Sequence, residues 1–376
     1  MVFDPILHSA CLRQVVAVIT SVLLLTLLIP AVQMQGQDRP ELHQIPVFDL
    51  VPAAPVVLAP QVDSNSPAFW QFVQGQNRLH VLTSWWTASI SRGTSVSRLG
   101  NPLPVRFVNS DPGGKWIEAV LQHENGTLYG YYHKEPIGLC PGTKKTAPRI
   151  GAVRSTDNGT SWEDLGIILE AGTTLDCATP NEFFAGGIGD FTVVLNAEKT
   201  DAYFFFTIYS GDKSQQGVAV GRMVWAHRDT PRGNVAVWDG RTWRYPALTN
   251  VQIRRGFFAP RPIYPASVSW HDRSEVVDSF WGPSVHWNTF LNQYVMLLNR
   301  ASDSAWTQEG IYIAFSPVLD DPSKWTKPIR IIEGGPFYPQ IMGVQRGVGT
   351  DKLAGSTARL FLGGRSDYSI VFRRTN

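Results

Sequence analysis

Lys115-Trp-Ile-Glu118-Ala-Val120, followed by the Glu124-Asn-Gly126 turn and the aromatic run Leu128 to His133, is the stretch whose reading decides the fold. Two apolar segments joined by a Gly-containing turn make a β-hairpin, because glycine takes the positive φ that a tight turn requires. Two further runs, Arg149 to Arg154 and Leu165 to Leu169, complete a four-stranded unit. Its opening strand is legible again at Asp63-Ser-Asn-Ser-Pro-Ala-Phe-Trp70, Gly186-Gly-Ile-Gly-Asp190-Phe-Thr-Val-Val194, Trp281-Gly-Pro-Ser-Val-His286-Trp287 and Tyr338-Pro-Gln-Ile-Met-Gly343, which makes five repeats. Such repetition marks a propeller, in which the innermost strand of every blade begins at the central axis. The expected fold is all-β, a five-bladed β-propeller of four-stranded blades spanning residues 45–376.

Blade three is expected to run through Asp190 to Leu195, Ala202 to Tyr209, Gly217 to Trp225 and Val235 to Trp238, with an Asp239-Gly240 turn after it. Blade four follows as Phe280 to Trp287, Gln293 to Asn299, Gly310 to Phe315 and Trp325 to Ile332. The fifth repeat is one strand short, with runs only at Phe337 to Val344, Ala358 to Gly364 and Tyr368 to Arg373. Ile45-Pro-Val-Phe-Asp-Leu-Val51 stands alone before the first repeat, so the N-terminal strand is expected to close the last blade and hide both sheet edges. Arg254 to Asp278 is too long for a simple blade connection and reads as a rim loop beside the ligand-binding face. Ser155-Thr-Asp157-Asn-Gly159-Thr-Ser-Trp162 matches the Asp-box pattern S-x-D-x-G-x-x-W of sialidases and other propellers. Asp157 is expected to accept backbone N–H bonds there, Gly159 to take a positive φ and Trp162 to plug the gap between strands, a peripheral structural role.

Charged residues form 17% of the chain, below the roughly 25% of typical soluble domains, while Trp, Tyr and Phe reach 11%. A net charge of +2 with no Lys/Arg cluster gives no footprint for nucleic acid. Arg13, the apolar run Val15 to Ile29, Pro30 and Ala31 make residues 1–36 a signal peptide or short N-terminal anchor, with 37–44 a linker. The run is shorter than the roughly 20 residues of a membrane span, so cleavage and a secreted, periplasmic or extracellular location are expected, with membrane contact only if the segment stays. Cleavage would leave Cys140 and Cys177 as an even pair, open to a disulfide or to two separate buried thiols. No Gly-rich phosphate loop, zinc-type His cluster or G-x-S-x-G is present, and a monomer is expected.

Hydrolysis of a glycosidic bond needs one carboxylic acid to protonate the leaving oxygen and one carboxylate to attack or to activate water. Asp63, Glu118 and Asp190 come from blades one, two and three, at axial strand ends where a carboxylate has little structural purpose. Burying an unpaired charge costs several kcal/mol, so three such positions in one cavity argue for use. The plainer reading is local: Asp63 as an Asx-turn before Ser64 and Asn65, and Asp190 as the end of a Gly-rich run. Trp70, Trp85, Trp86, Trp116, Tyr131, Tyr132, Trp281 and Trp287 offer flat faces for sugar rings, with Trp116 and Trp281 first because of their axial positions.

This pattern resembles the five-bladed propeller glycoside hydrolases, the group of family 43 arabinanases and xylosidases and the family 32 and 68 fructan enzymes. The resemblance implies that Asp63 is base or nucleophile, that Glu118 takes the orienting and pKa-tuning role of blade two, and that Asp190, or Glu182 in Thr179-Pro-Asn-Glu182-Phe-Phe, is the acid. The chain departs from the pattern by carrying Glu in blade two and Asp in blade three where the families have Asp and Glu. The W-M-N-D-P-N-G, R-D-P and E-C triplets of the fructan enzymes are missing. The resemblance also implies a structural calcium at the axis with His286 beside it or beside substrate, and no other required cofactor; a packed His286 is the plainer reading. His133 and Arg365 are further cavity candidates, Arg365 either clamping the sugar or pairing with Asp367 at the surface. The expected function is that of an exported glycoside hydrolase acting on an oligo- or polysaccharide. The alternatives are a non-catalytic carbohydrate-binding propeller and a sialidase-like exo-glycosidase, for which Arg149, Arg222, Arg300 and Arg365 supply the required residue type.

Overall fold

In the computed structural model, residues 45–170, 175–245, 260–271 and 276–374 are described. The expected signal or anchor segment, the expected linker and parts of the Arg254 to Asp278 stretch lie outside them. Five sheets follow one another along the chain. Blade one orders Ala68–Val73, Gln76–Trp85, Thr87–Ser95 and Arg98–Leu99. Blade two orders Lys115–Gln122, Leu128–Lys134, Arg149–Ser155 and Ser161–Glu170, with Arg106–Val108 laid parallel on its outer edge. Blade three contains Ile188–Leu195, Asp201–Ile208, Gly217–Val224 and Ala236–Trp238, and a fifth strand, Trp243–Arg244, follows the Asp239 turn. Blade four contains Phe280–Asn288, Gln293–Ala301, Gln308–Ser316 and Ile329–Glu333. Blade five is Gln340–Gly343, Thr357–Leu362 and Arg365–Arg373, completed on its outer side by Val47–Val57 in antiparallel register. The ring closes with a strand from the other end of the described chain, which covers the outer edge of Arg365–Arg373.

Two differences from the sequence reading have local causes. Trp325 is not in the fourth strand of blade four. It follows a 3₁₀ turn at Pro322–Lys324, whose first N–H groups are capped by Asp321, and it packs edge-on to Phe205 at 5.5 Å. Leu353–Ala354, from the excursion inside blade five, joins blade four as a parallel strand beside Trp287 and Asn288.

Phe204, Phe205 and Phe206 are all fully buried, and the alternation of a strand explains why three successive apolar residues are needed. Phe204 and Phe206 enter the core shared with blade two, whereas Phe205 enters the core shared with blade four. Corresponding clusters fill the contacts between blades one and two, four and five, and five and one. Each buried Phe contributes roughly 2–3 kcal/mol of apolar burial. At the blade-two turn, Asp157 Oδ1 accepts the N–H groups of Thr160 and Ser161 at 3.1 and 2.8 Å, Gly159 has φ +79, and Trp162 is fully buried between blades one and two.

Candidate active site

Two β-bulges build the site. In blade two, Ile117 pairs with Tyr132 and Ala119 with Tyr131, so Glu118 is an extra residue without an opposite number. In blade three, Gly189 pairs with Thr207 and Phe191 with Phe206, which leaves Asp190 in the same position, with φ +39. A bulge re-aims the side chain of its extra residue. Glu118 and Asp190 thus leave the alternation that sends their neighbours between blades, and one oxygen of each lies within 4.8 Å of the other and of a His133 ring nitrogen. Gly189 is required for this approach, since a Cβ there would lie 2.5 Å from His133 Cε1.

Successive backbone N–H groups of the blade-three bulge fix the cluster. Asp190 N–H reaches His133 Nδ1 at 3.1 Å, and Phe191 N–H donates to Glu118 Oε2 at 2.7 Å. The Tyr209 hydroxyl donates to Asp190 Oδ2, and the Tyr338 hydroxyl reaches Asp190 Oδ1 at 3.4 Å. Asn65, two residues past Asp63, donates to the carbonyls of Phe191 and Pro283, both at 2.9 Å, and so ties blades one, three and four together. On the far side of His133, Nε2 lies 3.3 Å from Glu135 Oε1. Glu118, His133 and Asp190 are buried, whereas Asp63 and Glu135 are half-buried and form the side of the cluster that meets solvent.

Burial, followed by the charges of Asp190 and Glu135, pushes the Asp63 carboxyl from 3.8 up to about 6. Glu118 is held well above its ordinary value by burial and then by Asp190, and Asp190 is raised by its own burial. Burial alone would lower His133, but the Glu135 hydrogen bond and the carboxylates of Asp190, Glu135 and Glu118 push it up to about 9. In this geometry Nδ1 accepts the Asp190 N–H and lies 3.5 Å from Glu118 Oε1 and 3.8 Å from Asp190 Oδ1, so the ring's own N–H is at Nε2, facing Glu135. With the Asp63, Glu118 and Asp190 carboxyls all raised, the cluster is held short of full ionisation near neutral pH. His133 Nδ1 already accepts the Asp190 N–H, and the carboxylate oxygens already accept from Phe191, Tyr209 and Tyr338, so this trio does not fit a metal site.

The remaining expected residues fall elsewhere. His286 is buried with no partner at Nε2, and burial followed by the charge of Lys352 pushes it down to about 3. Calcium takes six to eight oxygen ligands. A lone imidazole beside an ammonium supplies none of these oxygens, so its contacts support the packed alternative for His286. Glu182 is exposed in the loop ahead of blade three, and it is Asp190 that enters the cluster. Arg365 forks onto Asp367 at the surface, both bonds at 2.8 Å, and does not reach the acidic cluster. Arg149, Arg222 and Arg300 pair with Glu170, Asp201 and Glu309 of their own blades, so among the described residues these arginines form no trio of the sialidase kind around the cluster.

Trp116 and Trp281 have no open face. Trp116 is buried edge-on to His133 at 5.5 Å, and Trp281 is enclosed by Trp306, Phe337 and Tyr338. The open indoles are Trp85 and Trp86, 54% and 48% exposed at the tip of a blade-one hairpin, with Trp86 edge-on to Trp116 at 5.5 Å. Glu135, Tyr209 and Tyr338 were not singled out in the sequence. The one available signal was positional, since Tyr209 directly follows the second strand of blade three, Tyr338 opens the fifth repeat and Glu135 directly follows the strand of His133. Cys140 and Cys177 are disulfide-bonded with Cα atoms 5.5 Å apart, which decides between the two states left open and links the loop after Glu135 to the loop before blade three.

No family model matches this chain, and no curated protein matches it. Among solved structures it is similar to an α-L-arabinofuranosidase from Lactobacillus brevis, 13% identical, covering 85% of this chain and 92% of that one with a TM-score of 0.48. It is also similar to an endo-arabinase from Bacteroides thetaiotaomicron VPI-5482, 10% identical, covering 85% and 96% with a TM-score of 0.46. An arabinanase from Bacillus subtilis gives 10% identity, 85% and 96% coverage and a TM-score of 0.45. Likeness at this level leaves the functional reading to the residues of the site.

Proposed function

We propose that this protein is an exported glycoside hydrolase that cleaves an oligo- or polysaccharide by carboxyl acid–base chemistry at the propeller axis. The observation that carries the reading is the meeting of the two bulged carboxyls, Glu118 and Asp190, with His133 within 4.8 Å of one another, with Asp63 near enough for the charges of Asp190 and Glu135 to raise its carboxyl. Asp63 is the half-buried member, and at about 6 its carboxyl gives up a proton to a leaving oxygen at slightly acidic pH, which exchanges the base or nucleophile role that the resemblance implies for it with the acid role of Asp190. Asp190, oriented by Tyr209 and Tyr338, supplies the second carboxylate. Glu118 acts through the first two, holding the bulge by the Phe191 N–H and the proton balance through His133. The disulfide supports an oxidising compartment and hence export.

A second reading, a saccharide-binding propeller without turnover, is favoured by one observation. Glu118 and Asp190 are 1% and 3% exposed, and both are engaged by internal donors. The test is hydrolysis of a panel of aryl glycosides and oligosaccharides by the purified mature chain, beside Asp63→Asn, Glu118→Gln and Asp190→Asn with folding checked. Turnover that falls about 10²–10⁴-fold in all three variants supports the hydrolase. Absence of turnover with saccharide binding that survives the three changes supports the binding protein instead.

A further inference from the structure

The excursion between Gly343 and Thr357 of blade five runs alongside the innermost strand of blade four, where Trp287 N–H donates to the Lys352 carbonyl at 3.0 Å. The turn that permits this is close, since a Cβ on Gly349 would lie 2.5 Å from the Gly343 carbonyl carbon. Asp351 and Lys352 are thereby delivered among the inner strands of other blades. Asp351 has no exposed side-chain surface. Its Oδ1 accepts the Ala68 N–H of blade one at 2.8 Å, and its Oδ2 lies 2.9 Å from Lys352 Nζ. Lys352 Nζ also donates to Thr192 Oγ1 of blade three at 2.5 Å, and its charge depresses the basicity of His286 on blade four. One ion pair therefore touches blades one, three, four and five, and Thr192 lies two residues beyond Asp190 on the strand that carries the bulge.

We propose that Lys352 is an axial cation supplied by the chain itself, holding the inner strands together where an ion would otherwise be needed, so that the axis takes no calcium. A cation at such a point must neutralise a buried carboxylate and satisfy oxygens from more than one blade, and an ammonium with three donors meets both needs. A divalent ion placed there would have to displace the ammonium from Asp351 or lie against it. The inference concerns the fold and holds whether or not the chain is a hydrolase.

Thermal unfolding of the mature chain tests it. The Tm is expected to be the same in EDTA and in excess calcium chloride. Lys352→Met keeps the length of the side chain and leaves Asp351 buried without a counter-charge, which should lower Tm by about 5–10 °C. The double variant Lys352→Met/Asp351→Asn, with neither charge, should recover most of that loss. If Lys352→Met does not fold, recovery of a folded chain by the double variant gives the same answer. A double variant no more stable than Lys352→Met, or a calcium-induced rise in Tm that Asp351→Asn abolishes, would overturn the proposal.

Discussion

Replacing Asp63 by Asn should stabilise the fold at neutral pH while removing the group assigned to proton transfer. Asp63 is half-buried beside Asp190 and Glu135, and its carboxyl is pushed from 3.8 to about 6. A folded pKa above the unfolded one means that the native state binds the proton more tightly. The contribution of this group to stability is then complete below about 3.8 and is lost as the pH rises through about 6. Roughly two units at 1.36 kcal/mol each set the loss at about 3 kcal/mol. Asn keeps an oxygen to accept from Tyr338 and never ionises, so variant and wild type should be nearly equal near pH 4 and differ by roughly 2–3 kcal/mol at pH 8. Glu118 adds to the gain in the same direction, since Asp63 is one of the charges that hold its pKa up. Urea denaturation at pH 4, 6 and 8 reads the difference, provided the m-value is unchanged. A variant less stable than wild type at pH 8, or a gap that does not vary with pH, would refute the reasoning. A residue kept at such a cost to stability is what a functional site is expected to contain.

The alkaline limb of stability belongs to His133. Its charged form contributes fully below about 6.5 and is lost as the pH rises through about 9, on the order of 3 kcal/mol in all, and His133→Asn should flatten that limb in denaturant titrations between pH 7 and 10. The Tyr338 hydrogen bond lowers the Asp63 pKa, so Tyr338→Phe should move the Asp63 titration above 6, as read by carbon-13 NMR of the aspartate carboxyls; a midpoint that stays in place would remove Tyr338 from the cluster. Reduction of Cys140–Cys177, which spans 37 positions, should cost about 4 kcal/mol of chain-entropy stabilisation. A Tm indifferent to dithiothreitol in a chain whose thiols are shown to be bonded would contradict that figure.

Much of the architecture was legible because propeller strands are buried on both faces and separated by turns. Runs such as Ala202 to Tyr209 announce themselves by composition, and the lone N-terminal strand matches the missing member of blade five. The site was legible only in part. That Glu118 and Asp190 approach one another followed from repeat register, but their partners did not, because Glu135, Tyr209 and Tyr338 lie 17 to 275 positions from Asp63, Glu118 and Asp190 along the chain and meet them only after the blades close. Arg365 and Trp281 show the converse error, in which a residue near an axial strand end is turned outward to Asp367 or sealed in an aromatic cluster.

By itself, the order of residues determined the number of blades, the way the ring closes and the presence of acidic groups at inner-strand starts, since each depends on local periodicity and on turns of a few residues. Tertiary structure alone decided which carboxyl groups gather around His133, that Arg365 pairs with Asp367 at the surface, and that Lys352 reaches Asp351 and Thr192. Those outcomes rest on distances between blades and on one-residue bulges, which alter the direction of a side chain without altering the pattern from which a strand is recognised.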